Sequence, residues 1–213
     1  MSRRRAGRLA WGLWSLAVLS LVATCFSPSD SADRLTTLLA FSVFLLSFMT
    51  VGALVASRRP GNPLGWILCL AGLAYAVAGV STSYSGTLTA DGERDVAIAV
   101  SDWLSGWAWI AGIAPAITVM LLLFPTGRLP SPRWRPVAWL AGGALAAAVL
   151  GLAFSPDLET DSGRANPLAV EGAEPLAAVG GFLLVPAAVA SVLSVGVRLR
   201  RAGAEERRQL KWL

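Results

Sequence analysis

Six long apolar runs separated by short polar segments dominate the pattern of this 213-residue chain. An α-helix rises 1.5 Å per residue, so about 20 apolar residues cross a hydrocarbon core of about 30 Å. The pattern therefore predicts an all-α integral membrane protein, a bundle of six transmembrane helices in one domain over residues 1–197. The predicted spans cover residues 9–26, 35–56, 64–81, 104–124, 137–154 and 176–197.

Prolines mark where these runs begin and end. The stretch LLLFPTGRLPSPRWRPVAW at residues 121–139 joins the fourth run to the fifth. Proline lacks the backbone N–H that a helix interior needs, and it suits the first helical turn. Pro125 therefore predicts a helix end and Pro136 a helix start. Asn62 followed by Pro63 predicts in the same way an N-cap for the third helix.

Two prolines lie inside apolar runs, where each frees the carbonyl four residues earlier and favours a kink. Pro115 and Pro186 are therefore candidate hinges. Small residues spaced four apart let helix backbones approach closely. Such pairs occur in the third run, with Gly72 and Ala76, and in the sixth, with Ala187 and Ser191. Hydroxyl side chains within the runs are expected to bond to their own helix backbone.

Two segments allow more than one interpretation. A basic start before the first run also describes a signal peptide, but no small-x-small cleavage site closes that run, which favours a membrane helix. Residues 96–100 are apolar but too short to span, so they form either an interfacial turn or an outward extension of the fourth helix. Trp103, Trp107 and Trp109 follow. They predict an aromatic belt at the outer interface, with a ligand cage as the alternative.

The distribution of basic residues sets an orientation. Fifteen of the 18 basic residues fall in four alternate segments, four before the first run, two in 57–63, three in 125–136 and six in 198–213. Cytoplasmic loops carry such an excess, so both termini are expected in the cytoplasm of a plasma-membrane protein. The net charge of +5 thus indicates contact with the lipid bilayer rather than nucleic acid. The loop residues expected to face lipid headgroups are Arg58, Arg59, Arg128, Arg133 and Arg135.

The composition offers little chemistry. Histidine is absent, which removes imidazole metal ligands and histidine-based catalytic pairs from this chain. Cys25 and Cys69 lie in apolar runs and are expected to be buried. No charged residue lies in the middle of a run, Asp102 being the nearest, which disfavours a proton-coupled carrier. We predict no catalytic, cofactor or metal site, and no enzymatic activity for this chain alone.

Four motifs occur in a fixed order: RRPGNPLGW (58–66), LLLFPTGRLPSPRWRPVAW (121–139), ANPLAV (165–170) and RRAGAEERRQLKWL (200–213). Together they resemble the N-terminal membrane region of multi-pass sensor histidine kinases from actinobacteria. The resemblance implies a membrane-embedded input region for two-component signalling, although the catalytic motifs of that family are absent here. It also implies that the basic segment 198–213, which ends on Trp212 and Leu213, is cut off before a further membrane helix.

Two other functions fit the same pattern. A small permease or lipid-handling protein would also have six spans and helix-breaking prolines. Against it, the predicted spans lack the polar lining that such a protein needs within the bilayer. A structural subunit would pack against a second copy or a signalling partner through small-residue faces of its helices. The sequence identifies neither the stimulus nor a ligand.

Overall fold

The computed structural model describes residues 2–26, 34–85, 96–158, 160 and 165–201, and every regular element within them is a helix. All six predicted runs form helices in these residues. The elements are α1 (Arg3–Cys25), α2 (Arg34–Arg58), α3 (Pro63–Ser85), α4 (Val96–Pro115), a π-helical turn (Ala116–Met120), α5 (Leu121–Leu123), a 3-10 turn (Pro132–Trp134), α6 (Arg135–Phe154) and α7 (Glu174–Arg201).

The helices have the length and composition expected of a membrane protein. Five helical runs in the described residues are long and apolar enough to cross a membrane, and a shorter apolar helix, Leu45–Arg58, lies in α2. Many of their large apolar side chains point away from the protein; Phe182 of α7 is 76% exposed and Val185 is 63% exposed. Such outward faces suit contact with lipid tails.

The helix ends agree with the proline analysis. Helix α5 ends at Leu123, and Phe124 is extended, as expected for a residue that precedes a proline. Helix α6 begins with Pro136 in its first turn. At the start of α3, the Asn62 Oδ1 atom accepts a hydrogen bond of 3.0 Å from the Leu64 N–H, which confirms the predicted cap.

Residues 96–100, the C-terminal segment and the two cysteines were each the subject of a prediction from the sequence. Val96–Pro115 is one helix, so residues 96–100 extend the fourth helix at its N-terminal end rather than forming a separate turn. Helix α7 continues to Arg201, and the rest of the segment 198–213 lies outside the described residues. Cys69 is buried as expected, whereas the prediction for Cys25 is wrong, because that side chain is exposed at the last turn of α1.

The bundle consists of two groups of helices. Helices α1, α2 and α3 pack together, α3 packs against α4, and α4 packs against α6, which pairs with α7. The first group has a core of small and medium side chains around Ala53, Cys69 and Met49. The core of the second group contains Ala148 and Leu184.

Several hydroxyl groups in the described helices bond to their own helix backbone, as expected. Ser47 donates to the Val43 carbonyl at 2.6 Å, and Ser191 donates to the Ala187 carbonyl at 2.8 Å. Thr50 instead accepts a hydrogen bond of 3.0 Å from the indole N–H of Trp14. This bond joins α1 to α2, so it adds a polar contact between helices that share an apolar interface.

In the described residues, glycines allow close helix crossings at three pairs: α2 with α3, α6 with α7, and α3 with α4, where a Cβ atom on Gly112 would lie 2.9 Å from the Ala71 carbonyl oxygen. Between α2 and α3, a Cβ atom on Gly65 would lie 2.5 Å from the Ala56 nitrogen, and one on Gly52 would lie 2.9 Å from the Cys69 nitrogen. Between α6 and α7, a Cβ on Gly180 would overlap the backbone nitrogen of Ala148. Ala187 and Ser191 are also fully buried, as expected of a packing face, whereas Gly72 of the third run meets Met49 rather than a helix backbone.

The α6–α7 crossing can be tested with two neighbouring glycines. We expect Gly180→Ala to destabilise the protein by about 1–3 kcal/mol, because the added methyl group forces the two backbones apart. Gly181→Ala is the matched control, since a Cβ there meets nothing within 4 Å. Thermal unfolding in detergent measures the difference. Equal midpoints for the two variants would show that the crossing is not sterically tight.

Candidate functional site

The described residues of the four basic segments, which for the last segment are 198–201, lie at one end of the bundle, which we call the basic end. A Cβ on Gly7 of α1 would lie 3.8 Å from the Ser57 Cβ at the end of α2. Gly127 of the α5–α6 loop lies against Asn62 of the α2–α3 loop. Arg198, in the last turns of α7, contacts the α5–α6 loop. The contacts therefore place all four segments on the same side.

The α2–α3 loop is held by its own side chains. Besides the cap that Asn62 provides for Leu64, the indole N–H of Trp66 donates to the Pro60 carbonyl at 3.1 Å. Both bonds lie within the motif RRPGNPLGW, so its asparagine and tryptophan fix the path of the loop. The loop thereby presents the Asn62 side chain to the neighbouring α5–α6 loop.

The α5–α6 loop closes tightly after the helix. The Phe124 N–H donates to the Met120 carbonyl at 2.9 Å, and the Gly127 N–H donates to the Leu123 carbonyl at 2.8 Å. Gly127 has a φ of 73°, in the left-handed region that favours glycine. A Cβ at Gly127 would also overlap the Asn62 Oδ1 atom. Glycine is thus required both for the turn and for the contact between the loops.

The guanidinium of Arg198 joins the last turns of α7 to this loop, and we call this set of contacts the Arg198 clamp. Its Nη2 atom donates to the Leu122 carbonyl at 3.1 Å and to the Arg128 carbonyl, and Nη1 donates to the Thr126 hydroxyl at 3.3 Å. Arg198 is only 8% exposed. The last carbonyls of a helix have no partner within the helix, and a cation there is favoured by the helix dipole.

An apolar pocket of about 540 Å³ lies beside the loops. Helix α2 forms one wall from Ser47 to Arg58, and side chains of α3 and of the α5 end form the others. Volumes of about 300–1,000 Å³ are typical of small-molecule sites. The polar lining is concentrated at the basic end, in Arg58, Arg59 and Asn62, and no carboxylate is among the lining residues.

The five loop arginines that were predicted to face lipid headgroups fall into two groups, according to whether they line the pocket. Arg58 and Arg59 are exposed at the mouth of the pocket. Arg128, Arg133 and Arg135 are also exposed, and the contribution of Arg128 to the clamp comes from its backbone carbonyl. Sequence reasoning missed the burial of Arg198, since a basic residue after an apolar span ordinarily indicates the interface.

The candidate hinges differ in their surroundings. Pro115 ends α4 and is followed directly by the π-helical turn Ala116–Met120, in which Thr118 donates to the Ala114 carbonyl at 2.6 Å. Pro186 lies on an exposed position inside α7, which continues without interruption. The π-helical turn lies just before the Leu122 carbonyl of the clamp, so the local departure from α-helix is close to the basic end.

We call the opposite end of the bundle the acidic end, because Asp157, Glu171 and Glu174 lie there. It has a cluster of hydrogen-bonded polar side chains. The Ala153 carbonyl at the end of α6 accepts from the Trp103 indole at 2.7 Å and from the Asn166 Nδ2 at 2.9 Å. Asn166 also donates to Ser155 and accepts from the Leu168 N–H, as Asn62 does from Leu64. Trp103 packs edge to face on Trp107, with centroids 5.1 Å apart. Asp102 is buried beside them at 2% exposure.

The contact between the two loops can be tested with a second glycine of the same conformation. Gly127→Ala should destabilise the protein by about 1–3 kcal/mol more than Gly172→Ala, because only the first methyl group overlaps a neighbour. Gly172 has a φ of 84°, and a Cβ there meets nothing within 4 Å, so it controls for the backbone strain. Thermal unfolding in detergent gives both values. Identical losses of stability would contradict the contact.

No group of three or more cysteine and carboxylate residues in the described part of the chain could hold a metal ion. Comparison of the chain with protein families, with curated proteins and with solved structures finds no match.

Proposed function

We propose that this chain is the membrane-embedded input region of a two-component sensor histidine kinase. In this proposal six helices span the plasma membrane, and both termini lie in the cytoplasm. The gathering of four basic segments at one end supports this orientation, since cytoplasmic loops are enriched in arginine and lysine. The kinase module would be supplied by sequence that follows this region.

The Arg198 clamp is the observation that carries the proposal. An input region must convert a change within the membrane into a movement of the segment that leads to the output. Phe124 and Pro125 line the pocket, and the next residue, Thr126, bonds to Arg198 on α7. A change in the pocket would therefore reach the last turns of α7 through one short loop. Pro115, the π-helical turn and Pro186 are the sites where the helices would bend.

The proposed signalling role includes a contact with a protein partner. Sensor proteins of this kind would act with a second copy or with a signalling protein, and helix surfaces would form that contact. The exposed apolar face of α7, which includes Phe182, Val189 and Leu193, is available for it in the described structure. The same face would otherwise contact lipid tails.

A lipid-handling protein is the second candidate, and the apolar pocket favours it. Its wall is apolar along α2, with the arginines gathered at one end. A carrier must move its substrate across the bilayer, whereas an input region only binds it. Faster lipid movement in reconstituted vesicles than in protein-free vesicles would favour the second candidate.

The orientation predicts which cysteine variants an impermeant maleimide reaches in intact cells. In a Cys25→Ser background, Ala169→Cys at the acidic end should be labelled directly. Ser131→Cys in the α5–α6 loop should be labelled only after the membrane is permeabilised. Cys69 is buried and serves as the unlabelled baseline. The reverse labelling pattern would overturn the proposed orientation.

The signalling role predicts an effect of the clamp on output. The chain would be expressed together with whatever its reading frame encodes after Leu213, and autophosphorylation would be measured. Hydrogen bonds to a charged group contribute about 1.5–3 kcal/mol, so Arg198→Gln should shift basal autophosphorylation by about tenfold. Arg200→Gln removes an exposed charge from the same helix and should have little effect.

Two results would each contradict one part of this proposal, the first the kinase itself and the second its control by the clamp. One is a reading frame without a phospho-accepting histidine and an ATP-binding domain. The other is an autokinase whose activity is the same with Arg198→Gln as with Arg200→Gln. The second result would retain the kinase but remove the clamp from its control.

A further inference from the structure

The pocket beside the basic end has the polarity of an amphiphile, with arginines at one end and apolar walls over the rest. Its lining includes Val51, Leu54 and Val55 of α2, and Leu68 of α3. Ser47 lies at the far end, where its hydroxyl already donates to the Val43 carbonyl. The donor of this hydroxyl is therefore used within the helix, and the rest of the far end offers apolar contact to a ligand.

The length of the pocket corresponds to one leaflet of a bilayer. From Ser47 to Arg58 the lining follows α2 for about 16 Å at 1.5 Å per residue. Half of a hydrocarbon core is about 15 Å thick. An acyl chain in the pocket would thus extend from the bilayer centre to the level of the headgroups, where Arg58 and Arg59 lie.

The charge at the mouth is uncompensated within the pocket. Arg58 and Arg59 are both exposed, and none of the residues that line the pocket is acidic. The guanidinium group is planar and binds phosphate through two parallel hydrogen bonds. Asn62 adds an amide at the same end. Its Oδ1 is used by Leu64, so its NH₂ group remains the side available to a phosphate oxygen.

We propose that this pocket is a binding site for an anionic glycerophospholipid, with one acyl chain along α2 and the phosphate on Arg58 and Arg59. A zwitterionic lipid has the same phosphate, but its cationic group is repelled by the two arginines. A free phosphate lacks the apolar contact with α2 and α3. Both parts of the lipid are therefore needed for binding.

The inference rests on the membrane placement in the proposed function and adds a ligand class to it. Phe124 and Pro125 form part of the same lining, so the bound lipid touches the loop that Arg198 holds. Lipid composition is then the condition that this input region reports.

Binding is measured on the purified full chain in detergent by native mass spectrometry. The probes are phosphatidylglycerol, phosphatidylcholine with the same acyl chains, and glycerol phosphate without chains. Each basic residue near a membrane surface contributes enough attraction that two of them should favour phosphatidylglycerol by about tenfold or more. Glycerol phosphate should neither bind detectably nor displace phosphatidylglycerol.

Two double variants that remove the same charge distinguish binding in the pocket from general attraction of anionic lipid to a basic surface. Arg58→Gln with Arg59→Gln should abolish the preference for phosphatidylglycerol. Arg133→Gln with Arg135→Gln removes the same charge from exposed positions of the basic end that do not line the pocket, and the preference should remain.

A second pair tests the apolar part of the site. Val51→Trp fills the pocket from α2 and should weaken the binding of both phosphatidylglycerol and phosphatidylcholine. Val192→Trp adds the same bulk to an exposed position of α7, outside the pocket lining, and should change neither.

Equal binding of the two lipids would overturn the proposal, as would equal losses in the two arginine pairs. Displacement of phosphatidylglycerol by glycerol phosphate would show a phosphate site that makes no use of the apolar walls. Because this assay reads no kinase output, its failure leaves the signalling proposal standing. Unchanged autophosphorylation in Arg198→Gln would likewise leave the lipid site standing.

Discussion

The close crossing of helix backbones at glycines is the constraint on which the rest of the bundle depends. Where apolar helices are surrounded by lipid, association brings little hydrophobic gain, and van der Waals packing supplies the attraction. Gly65 lets α3 approach Ala56 of α2, and Gly180 lets α7 approach Ala148 of α6. These crossings fix the position of α2 against α3 and of α7 against α6, and therefore bring the basic loops within reach of one another.

Once the helices are placed, their open ends must find hydrogen-bond partners. The donors that bond to the last helix carbonyls differ between the two ends of the bundle. At the acidic end, neutral donors from Trp103 and Asn166 share the Ala153 carbonyl. At the basic end, the charged group of Arg198 bonds to the Leu122 carbonyl. A buried cation is costly without such partners, so the last turns of α7 are held at the loop more strictly than apolar packing alone would hold them.

The sequence predicted what depends on local chemistry. Apolar runs located the long helices of the described residues, and proline chemistry located the ends at Pro125 and Pro136, because a missing N–H acts on its own turn of helix. Asn62 was predicted as a cap for the same reason. The paired burial of Arg198 and the Trp14–Thr50 bond were not predictable, because each depends on which helices are neighbours. The exposure of Cys25 was missed, since an apolar run does not say which face turns outward.

The pocket illustrates the same limit. Arg58 and Arg59 were predicted to face lipid headgroups, from their place after an apolar run. Their position at the mouth of a cavity appears only when α3 and the end of α5 are packed beside α2. Composition therefore indicated the chemistry of the site, and tertiary packing gave it a shape.

The pocket and the clamp are linked through consecutive residues, and this places a condition on any signalling mechanism. Phe124 and Pro125 line the pocket, while Thr126 accepts from Arg198. A ligand can shift α7 only by the difference between its affinities for the two positions of the loop. Contact with the α2 wall alone would be the same in both positions and would shift nothing. The contacts to Phe124 and Pro125, and that of Asn62 with Gly127, therefore give an occupied pocket a route to α7, and by reciprocity the state of the clamp must alter binding in the pocket.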